Sequence, residues 1–294
     1  MVSAMERTNE TRRLTWVLAI TAIYFFAELL GGILTNSLAL LSDAGHMFSD
    51  IAALGLSLFA LQMARRPATA KRTYGYHRME ILAALINGLT LWLVVGIIFN
   101  EAYRRFLDPP EVHSLGMLFI ASIGLMVNVV AGTILYGSDH RSLNMHGAFL
   151  HVLGDTIGSV GAVAAGLIML VTGWYLADPL ISVLIGLLIL YTSWDLVKES
   201  IDILMQSVPK GIDVEEVQRA LEQIHGVIKV HDLHVWAVTS GVFTLSAHAV
   251  IAPDGNPHAI LDRIEDKLKT QFSIEHTTIQ LEIEDREGKE FQAF

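Results

Sequence analysis

The chain has 294 residues, of which 52% are hydrophobic and only 17% are charged. Ordinary globular domains carry about 25% charged residues, so this composition argues against a water-soluble protein. The formal net charge is -10, with the acidic residues concentrated after Asp202, and no basic patch or arginine-rich tail indicates a nucleic-acid partner. The absence of cysteine excludes disulfides and thiolate metal ligands.

Six segments are apolar and long enough to cross a membrane, which takes about 20 helical residues. The predicted spans are 14–35, 38–62, 80–103, 113–136, 144–172 and 178–199. Turn-forming residues separate neighbouring segments, as at Asp108-Pro109-Pro110 and Ala177-Asp178-Pro179. The first apolar run is too long for a signal peptide and lacks a small-residue cleavage site, so we predict a spanning helix there.

The distribution of basic residues predicts how these helices are oriented, because lysine and arginine are enriched in cytoplasmic connections. One side carries Arg7, Arg12, Arg13, Arg65, Arg66, Lys71, Arg72, Arg78, Arg141 and Lys198. The opposite side offers only Arg104 and Arg105. We therefore expect a multi-pass protein with both termini in the cytoplasm.

After Pro209 the pattern changes to that of a small α+β domain. The predicted elements are a helix at 213–225, strands at 227–238 and 242–251, a helix at 257–272 and a strand at 276–284. This αββαβ order predicts an antiparallel sheet. The expected division is a membrane domain at 1–207 and a cytoplasmic domain at 208–294. About 75 residues are marginal for an independent fold, so a partner is expected to support it.

Two of the predicted membrane helices each carry a histidine and an aspartate four residues apart. The second helix has His46 and Asp50, and the fifth has His151 and Asp155. Positions i and i+4 share one helix face, so two facing helices can present two imidazoles and two carboxylates to one point. Such a set suits tetrahedral Zn²⁺, and two aspartates balance the charge of a dication. Hydrogen bonding to a neighbouring helix is the alternative role, and the repeated spacing by itself leaves both roles open.

Other polar residues within the membrane helices are weaker candidates. Asp43, one turn before His46, is predicted either to line the route to the site or to orient a ligand histidine. Glu28, Asn87 and Asn128 could do the same, although hydrogen bonding between helices is favoured for the asparagines.

Together with further motifs, this pattern resembles the cation diffusion facilitator family, especially its zinc-transporting bacterial members. The motifs are Asp43-Ala-Gly-His46-Met-Phe-Ser-Asp50, Tyr74-Gly-Tyr-His77-Arg-Met-Glu80, Asp108-Pro-Pro-Glu-Val112, the pair His151 and Asp155, and His231-Asp-Leu-His-Val-Trp236. The resemblance implies six membrane helices, a cytoplasmic ferredoxin-like domain, a homodimer and exchange of metal for protons. It also implies a zinc-preferring efflux transporter of the bacterial inner membrane, and not an enzyme.

The resemblance further implies two kinds of metal site. The transport site would comprise His46, Asp50, His151 and Asp155, with Zn²⁺ as cargo. His77 matches a loop position where relatives bind a more exposed metal, although local packing is an equal alternative.

In the cytoplasmic domain, His231, His248 and Glu282 match positions that bind regulatory zinc in relatives. His276 and His234 are plausible additional ligands there. A solvated side chain is the ordinary role of an isolated surface histidine, so this second site depends mainly on the resemblance.

Two other functional classes stay open at this point. An intramembrane metalloenzyme needs an open coordination position and a nearby general base, and no His-Glu-x-x-His motif occurs in the chain. A metal sensor or a passive channel would show no coupling between metal and protons.

Overall fold

The structure is a computed structural model that describes residues 4–64, 66–136 and 143–284, except for the side chains of 4–14, 57, 61, 143–148 and 150. Arg65 and Arg141, which contributed to the predicted orientation, lie outside the described residues. In chain order the described elements are α1 (Ala4–Thr35), α2 (Leu38–Ala64), α3 (Met79–Leu107), α4 (Ser114–Tyr136), α5 (Leu143–Thr172), α6 (Ala177–Leu204), α7 (Val214–Glu222), β1 (Val227–Thr239), β2 (Val242–Ile251), α8 (Pro257–Phe272) and β3 (His276–Glu282).

The first six helices have the length and composition of membrane-spanning helices. Large apolar side chains project outward from them, including Ile23, Leu93 and Val171, each about two-thirds or more exposed. Lipid can cover such surfaces, because a helix satisfies its own backbone polar groups within the bilayer. The prediction of six spanning helices is confirmed.

Two helices extend well beyond their predicted ends. α1 begins at Ala4 and not near residue 14, so Arg7, Arg12 and Arg13 belong to the helix and do not precede it. α6 continues to Leu204, past the predicted end at 199. Hydropathy marks only the part of a helix that suits hydrocarbon. The backbone hydrogen bonds continue into polar sequence where no proline or glycine interrupts them.

Residues 1–55 and 86–195 form one compact unit, in which α4 packs against both α1 and α5. Gly166 of α5 lies against α4, where an added Cβ would be 3.2 Å from the Cα of Leu118. The ring of Tyr24 in α1 fills the space beside Gly124 in α4. Glycine therefore permits close helix packing here, as expected for membrane helices.

A buried carboxylate on α6 joins three helices of this unit. Asp178 is fully buried, and its Oδ1 accepts hydrogen bonds from the Ser37 hydroxyl (2.7 Å) and the Ala39 N–H (3.1 Å). Its Oδ2 accepts from the Leu38 N–H (2.7 Å) and from the Arg105 guanidinium of α3 (3.3 Å). The side chain thereby satisfies backbone donors in the first turn of α2 and fixes where that helix begins.

Residues 56–85 and 196–294 form the second compact unit, which contains the α+β domain. The sheet has the order β1-β2-β3, with β1 and β2 antiparallel and joined by a turn at Gly241 (φ 75°). β3 pairs with β2 in parallel. The αββαβ order is confirmed, but the prediction of an antiparallel sheet is wrong for β3. Its connection from β2 passes through α8, and such a crossover returns the chain parallel to the strand it left.

One face of this sheet is covered by helices. Val217 of α7 and Ile264 of α8 are fully buried in the same apolar cluster as Leu245 of β2. Asp213 caps α7 by accepting hydrogen bonds from backbone N–H groups of the first turn. The opposite face of the sheet carries the polar side chains that alternate with the buried apolar ones along the strands.

Candidate metal centres

The four predicted ligands on α2 and α5 lie close together. His46 Nε2 is 3.7 Å from Asp50 Oδ2 and 3.6 Å from Asp155 Oδ1. His151 Nε2 is 3.3 Å from Asp50 Oδ2 and 3.6 Å from Asp155 Oδ2. The two helices therefore turn their histidine–aspartate faces toward each other, as the i, i+4 spacing predicts. We refer to these four residues as the quartet.

These separations suit a tetrahedral ion. Zinc bonds of about 2.0–2.1 Å to nitrogen and oxygen place neighbouring ligand atoms about 3.4 Å apart. His46, His151 and Asp155 offer ligand atoms that all lie within 4.8 Å of one another, and Asp50 adds its contacts to both histidines. Two carboxylates and two neutral imidazoles give the set a charge that a dication neutralises.

A small cavity of about 90 Å³ adjoins the quartet. His46, His151 and Asp155 contribute its polar wall, and Ile185 and Ile189 of α6 contribute an apolar one. The His151 side chain is the most exposed of the four at 47%, whereas that of Asp155 is 12% exposed. Solvent and ions can therefore reach the ligand atoms from the His151 side.

Asp43 lines this cavity, as one of its two predicted roles requires. The other role, accepting a hydrogen bond from a ligand histidine, is wrong for His46, because His46 Nδ1 has no hydrogen-bond partner in the described part of the chain. The Asp43 carboxyl instead lies beside that of Glu28 in α1, which also accepts a hydrogen bond from the Tyr24 hydroxyl at 3.1 Å. Residues three apart on a helix share a face, so Asp43 lies on the same side of α2 as His46 and lines the same cavity.

The two intramembrane asparagines bond between helices. Asn128 donates to the Ser159 hydroxyl at 3.0 Å and joins α4 to α5. Asn87 accepts from the Ser49 hydroxyl at 3.0 Å and joins α3 to α2. The favoured prediction for these residues is confirmed.

A second group of candidate ligands lies in the α+β domain. His231, His248 and Glu282 offer atoms that all lie within 4.8 Å of one another. His231 Nε2 is 3.3 Å from Glu282 Oε2, and His248 Nδ1 is 3.5 Å from Glu282 Oε1. Register explains the grouping, since His231 of β1 pairs directly with His248 of β2, and Glu282 lies on the neighbouring strand β3. We refer to these three residues as the sheet cluster.

Burial and hydrogen bonding act in opposite directions on Glu282. Burial raises the pKa of its carboxyl. The hydrogen bonds from Gln280 and His231, together with the nearby charge of His231 and His248, lower the pKa by more than this. The net pKa lies below its ordinary value, so Glu282 is a carboxylate that is ready to bind a cation.

Sequence reasoning missed Asp232, which lies at the edge of the sheet cluster. Its Oδ2 is 3.8 Å from His248 Nε2, and its Oδ1 is 3.0 Å from His234 Nε2. Asp232 has a positive φ of 50° at a bulge in β1, where the register shifts between His231 and His234. Aspartate tolerates a positive φ better than most residues do. An aspartate within a predicted strand is therefore a sequence signal for a bulge, and this signal could have identified Asp232.

Two further predicted ligands lie apart from these groups. His77 is exposed on the connection between α2 and α3, and within the described residues it joins no cluster of three potential ligands. His276 packs its ring against Tyr74, with ring centroids 5.8 Å apart. The metal site at His77 stays a prediction, because the described residues do not complete a set of three potential ligands around it.

Two family models match the chain. Residues 14–205 match the cation efflux transmembrane domain, and residues 209–284 match the cytoplasmic domain of cation efflux proteins. The two matches together cover nearly all of the described residues.

Relatives similar to this chain over most of their length include three bacterial proteins. The metal cation efflux system protein CzcD of Cupriavidus metallidurans is 43% identical over 92% of this chain and 86% of its own. The cadmium, cobalt and zinc/H(+)-K(+) antiporter of Bacillus subtilis is 44% identical over 89% of this chain and 85% of its own. The zinc transporter ZitB of Escherichia coli is 41% identical over 97% of this chain and 92% of its own.

Proposed function

The chain belongs to the cation diffusion facilitator family, and from this premise and the geometry of the quartet we propose that it exports Zn²⁺ in exchange for protons. Members of this family are divalent metal cation efflux transporters of the membrane, so the chain is a transporter and not an enzyme. The proposal adds zinc preference, proton coupling and the residues that carry the ion.

One observation carries the proposal, namely that His151 and His46 each contact both Asp50 and Asp155. Imidazole nitrogen and carboxylate oxygen suit Zn²⁺, while carboxylate sets without nitrogen suit harder ions. Cobalt and cadmium are named for one relative and zinc for two of those compared, which supports a zinc-preferring site of moderate selectivity.

Coupling to protons follows from the ligand chemistry. Histidine and aspartate bind a metal only after losing their protons, so protons and Zn²⁺ compete for the same atoms. Zinc entering from the cytoplasm displaces protons, the helices then open the site to the outside, and external protons displace the zinc. The return of the protonated site completes the cycle, and inward proton flow drives zinc outward.

Transport in proteoliposomes tests this scheme. Vesicles that contain the purified protein should accumulate Zn²⁺ when their lumen is more acidic than the outside solution, because protons leave as zinc enters. Collapse of this pH gradient should abolish the accumulation. Asp50→Asn or His46→Ala should reduce the flux to the level of protein-free vesicles. Asp108→Asn and His113→Ala, which alter exposed residues on the connection between α3 and α4, are matched controls. Flux that continues at the same initial rate without a gradient would indicate a channel and contradict the antiport proposal.

We also propose that the sheet cluster binds a regulatory Zn²⁺ and that the chain functions as a homodimer. The match to the cytoplasmic domain of cation efflux proteins and the mutual proximity of His231, His248 and Glu282 support this second role. Zinc is expected to draw the two cytoplasmic domains together when cytosolic metal is abundant.

Domain compaction measured by fluorescence transfer between labelled protomers tests the regulatory role. Zinc should raise the transfer efficiency in the wild-type dimer, and His248→Ala should reduce this response while leaving zinc affinity at the quartet unchanged. His258→Ala, at an exposed histidine in the first turn of α8, is the control. Equal compaction in His248→Ala would contradict a regulatory site at the sheet cluster.

A further inference from the structure

A basic cavity lies in the second unit, where the connection between α2 and α3 meets β1. Lys71, Arg72 and Arg78 line it together with Gln206 and Trp236, and its volume is about 420 Å³. No carboxylate is among the described residues that line it. We refer to this cavity as the basic pocket.

No acidic residue that the structure describes balances the charge of the three cations in the basic pocket. None of them forms an ion pair with any described residue, and the nearby Glu80 accepts a hydrogen bond from the Thr239 hydroxyl at 3.0 Å. Like charges that converge without a counterion repel one another, so an anion between them would stabilise the arrangement. The pocket therefore has the electrostatics of an anion-binding site.

The local fold holds this arrangement in place. The Arg72 guanidinium lies 4.5 Å from the centre of the Tyr76 ring, which orients it by a cation–π contact. Backbone hydrogen bonds close the segment between Thr69 and Arg72, and Gly75 takes a positive φ of 68° that allows the next turn. The cationic groups are thus presented by a folded turn and not by a freely moving chain.

The surroundings indicate the source of the anion. The connection lies between the ends of two spanning helices, and Met79 and Leu82 from the start of α3 contribute an apolar wall to the pocket. Tyr74 and Trp236 contribute rings of the kind enriched at the level of lipid headgroups. Clusters of lysine and arginine beside a membrane helix attract anionic lipids.

We propose that the basic pocket binds the phosphate group of an anionic phospholipid. Arg72 and Arg78 supply planar guanidinium groups that can each donate two hydrogen bonds to phosphate oxygens, and Lys71 adds a compact positive charge. The apolar wall at Met79 and Leu82 faces the start of the acyl chains. This binding is independent of the proposed transport chemistry, since none of these residues belongs to the quartet or the sheet cluster.

Native mass spectrometry of the delipidated full-length protein tests the proposal. The protein is titrated in detergent with phosphatidylglycerol or with phosphatidylcholine, and the affinity of each lipid is compared. The combined variant Lys71→Gln/Arg72→Gln/Arg78→Gln should weaken phosphatidylglycerol binding by about tenfold or more and leave phosphatidylcholine binding unchanged.

Three further variants distinguish loss of the binding site from a change in net charge and from misfolding. Arg104→Gln/Lys267→Gln/Lys269→Gln removes the same charge at other positions and should bind phosphatidylglycerol as the wild type does. Lys71→Arg/Arg72→Lys/Arg78→Lys keeps the charge but removes the paired donors of Arg72 and Arg78, so its affinity should fall between those of the wild type and the triple glutamine variant. If the triple glutamine variant does not fold, Arg78→Gln alone should show a several-fold loss.

Equal loss of phosphatidylglycerol binding in the pocket and control variants would overturn the proposal, as would no loss in either. A further titration adds inorganic phosphate to the lipid-bound protein. Displacement of the lipid only at phosphate concentrations far above that of the lipid supports a lipid site. Phosphate binding at the pocket without any preference for the lipid would overturn the lipid assignment.

Discussion

His151 Nε2 lies 3.3 Å from Asp50 Oδ2, closer than either histidine lies to the aspartate on its own helix. Two separate i, i+4 ion pairs would place the shortest contacts within each helix. The cross-helix contact instead joins α2 and α5 into one site, which is what a single ion shared between the helices requires. The proposed transport therefore depends on both helices together.

Asp155→Asn is expected to weaken zinc binding at the quartet by at least about 100-fold. Mutation of a residue that only orients a metal ligand typically costs about 10- to 100-fold in affinity, and loss of a direct ligand should cost at least as much. Asparagine keeps the shape of aspartate but removes a negative charge that the dication needs. Isothermal titration of the purified protein with zinc measures the change. The variant is studied in a His248→Ala background, so that the sheet cluster contributes little heat. Asp108→Asn should titrate as the parent does, and unchanged affinity in Asp155→Asn would remove that residue from the site.

Zinc binding at the sheet cluster is expected to strengthen as the pH rises and to weaken as it falls, because imidazole binds the metal only when neutral. The pKa of Glu282 lies below its ordinary value. This carboxylate therefore stays ionised at acidities where an ordinary glutamate, with a pKa of about 4.3, begins to take up a proton. Zinc release on acidification is therefore expected to depend on the imidazole ligands and not on Glu282.

Equilibrium dialysis against zinc at a series of pH values tests the pH dependence. The quartet is disabled by Asp50→Asn/Asp155→Asn so that only the sheet cluster reports. Glu282→Gln should lower the affinity at every pH but leave the pH of half-release nearly unchanged. A profile that becomes flat in Glu282→Gln would show that this carboxylate, and not the histidines, controls release.

Asp178→Ala is expected to lower the stability of the membrane unit by about 2 kcal/mol or more, because the largely buried Arg105 loses its buried carboxylate partner and keeps only the more exposed Glu101. It also removes the acceptor for two backbone N–H groups at the start of α2. Thermal unfolding in detergent, followed by tryptophan fluorescence, measures the loss. Glu199→Ala removes an exposed ion pair with Lys210 and should change the midpoint little. Similar midpoints for both variants would contradict a structural role for Asp178.

The predicted orientation can be tested with single cysteines, since the chain has none of its own. Glu111→Cys, on the connection between α3 and α4, should react with an impermeant maleimide in intact cells. Asp254→Cys, in the α+β domain, should react only after the inner membrane is opened. The reverse pattern would place the α+β domain outside the cytoplasm and contradict the direction of export.

Hydropathy and i, i+4 spacing predicted the membrane helices and the faces that form the quartet. These features depend on local periodicity, which a single sequence displays directly. The strand β2 and the helix α8 agree with their predicted bounds for the same reason. The start of α1 could not be located in this way, because its polar first turns have no hydropathy signal.

Features that depend on long-range partners escaped prediction. The pattern of the sequence located the strand β3, but not that its partner is β2 in parallel. Asp178 stood in a turn motif, and nothing nearby in the sequence connects it to Arg105. The direction of Asp43 likewise depends on how α1 packs beside α2, and Asp232 depends on a bulge in the pairing of β1 with β2.

The most direct test of the account is the position of zinc in the full-length protein, determined by anomalous scattering at the zinc edge from crystals grown with the metal. We expect a peak between α2 and α5, within about 2.0–2.2 Å of one atom from each of His46, Asp50, His151 and Asp155. A transport-competent protein whose zinc binds elsewhere, with these four side chains unable to reach one ion, would contradict the account.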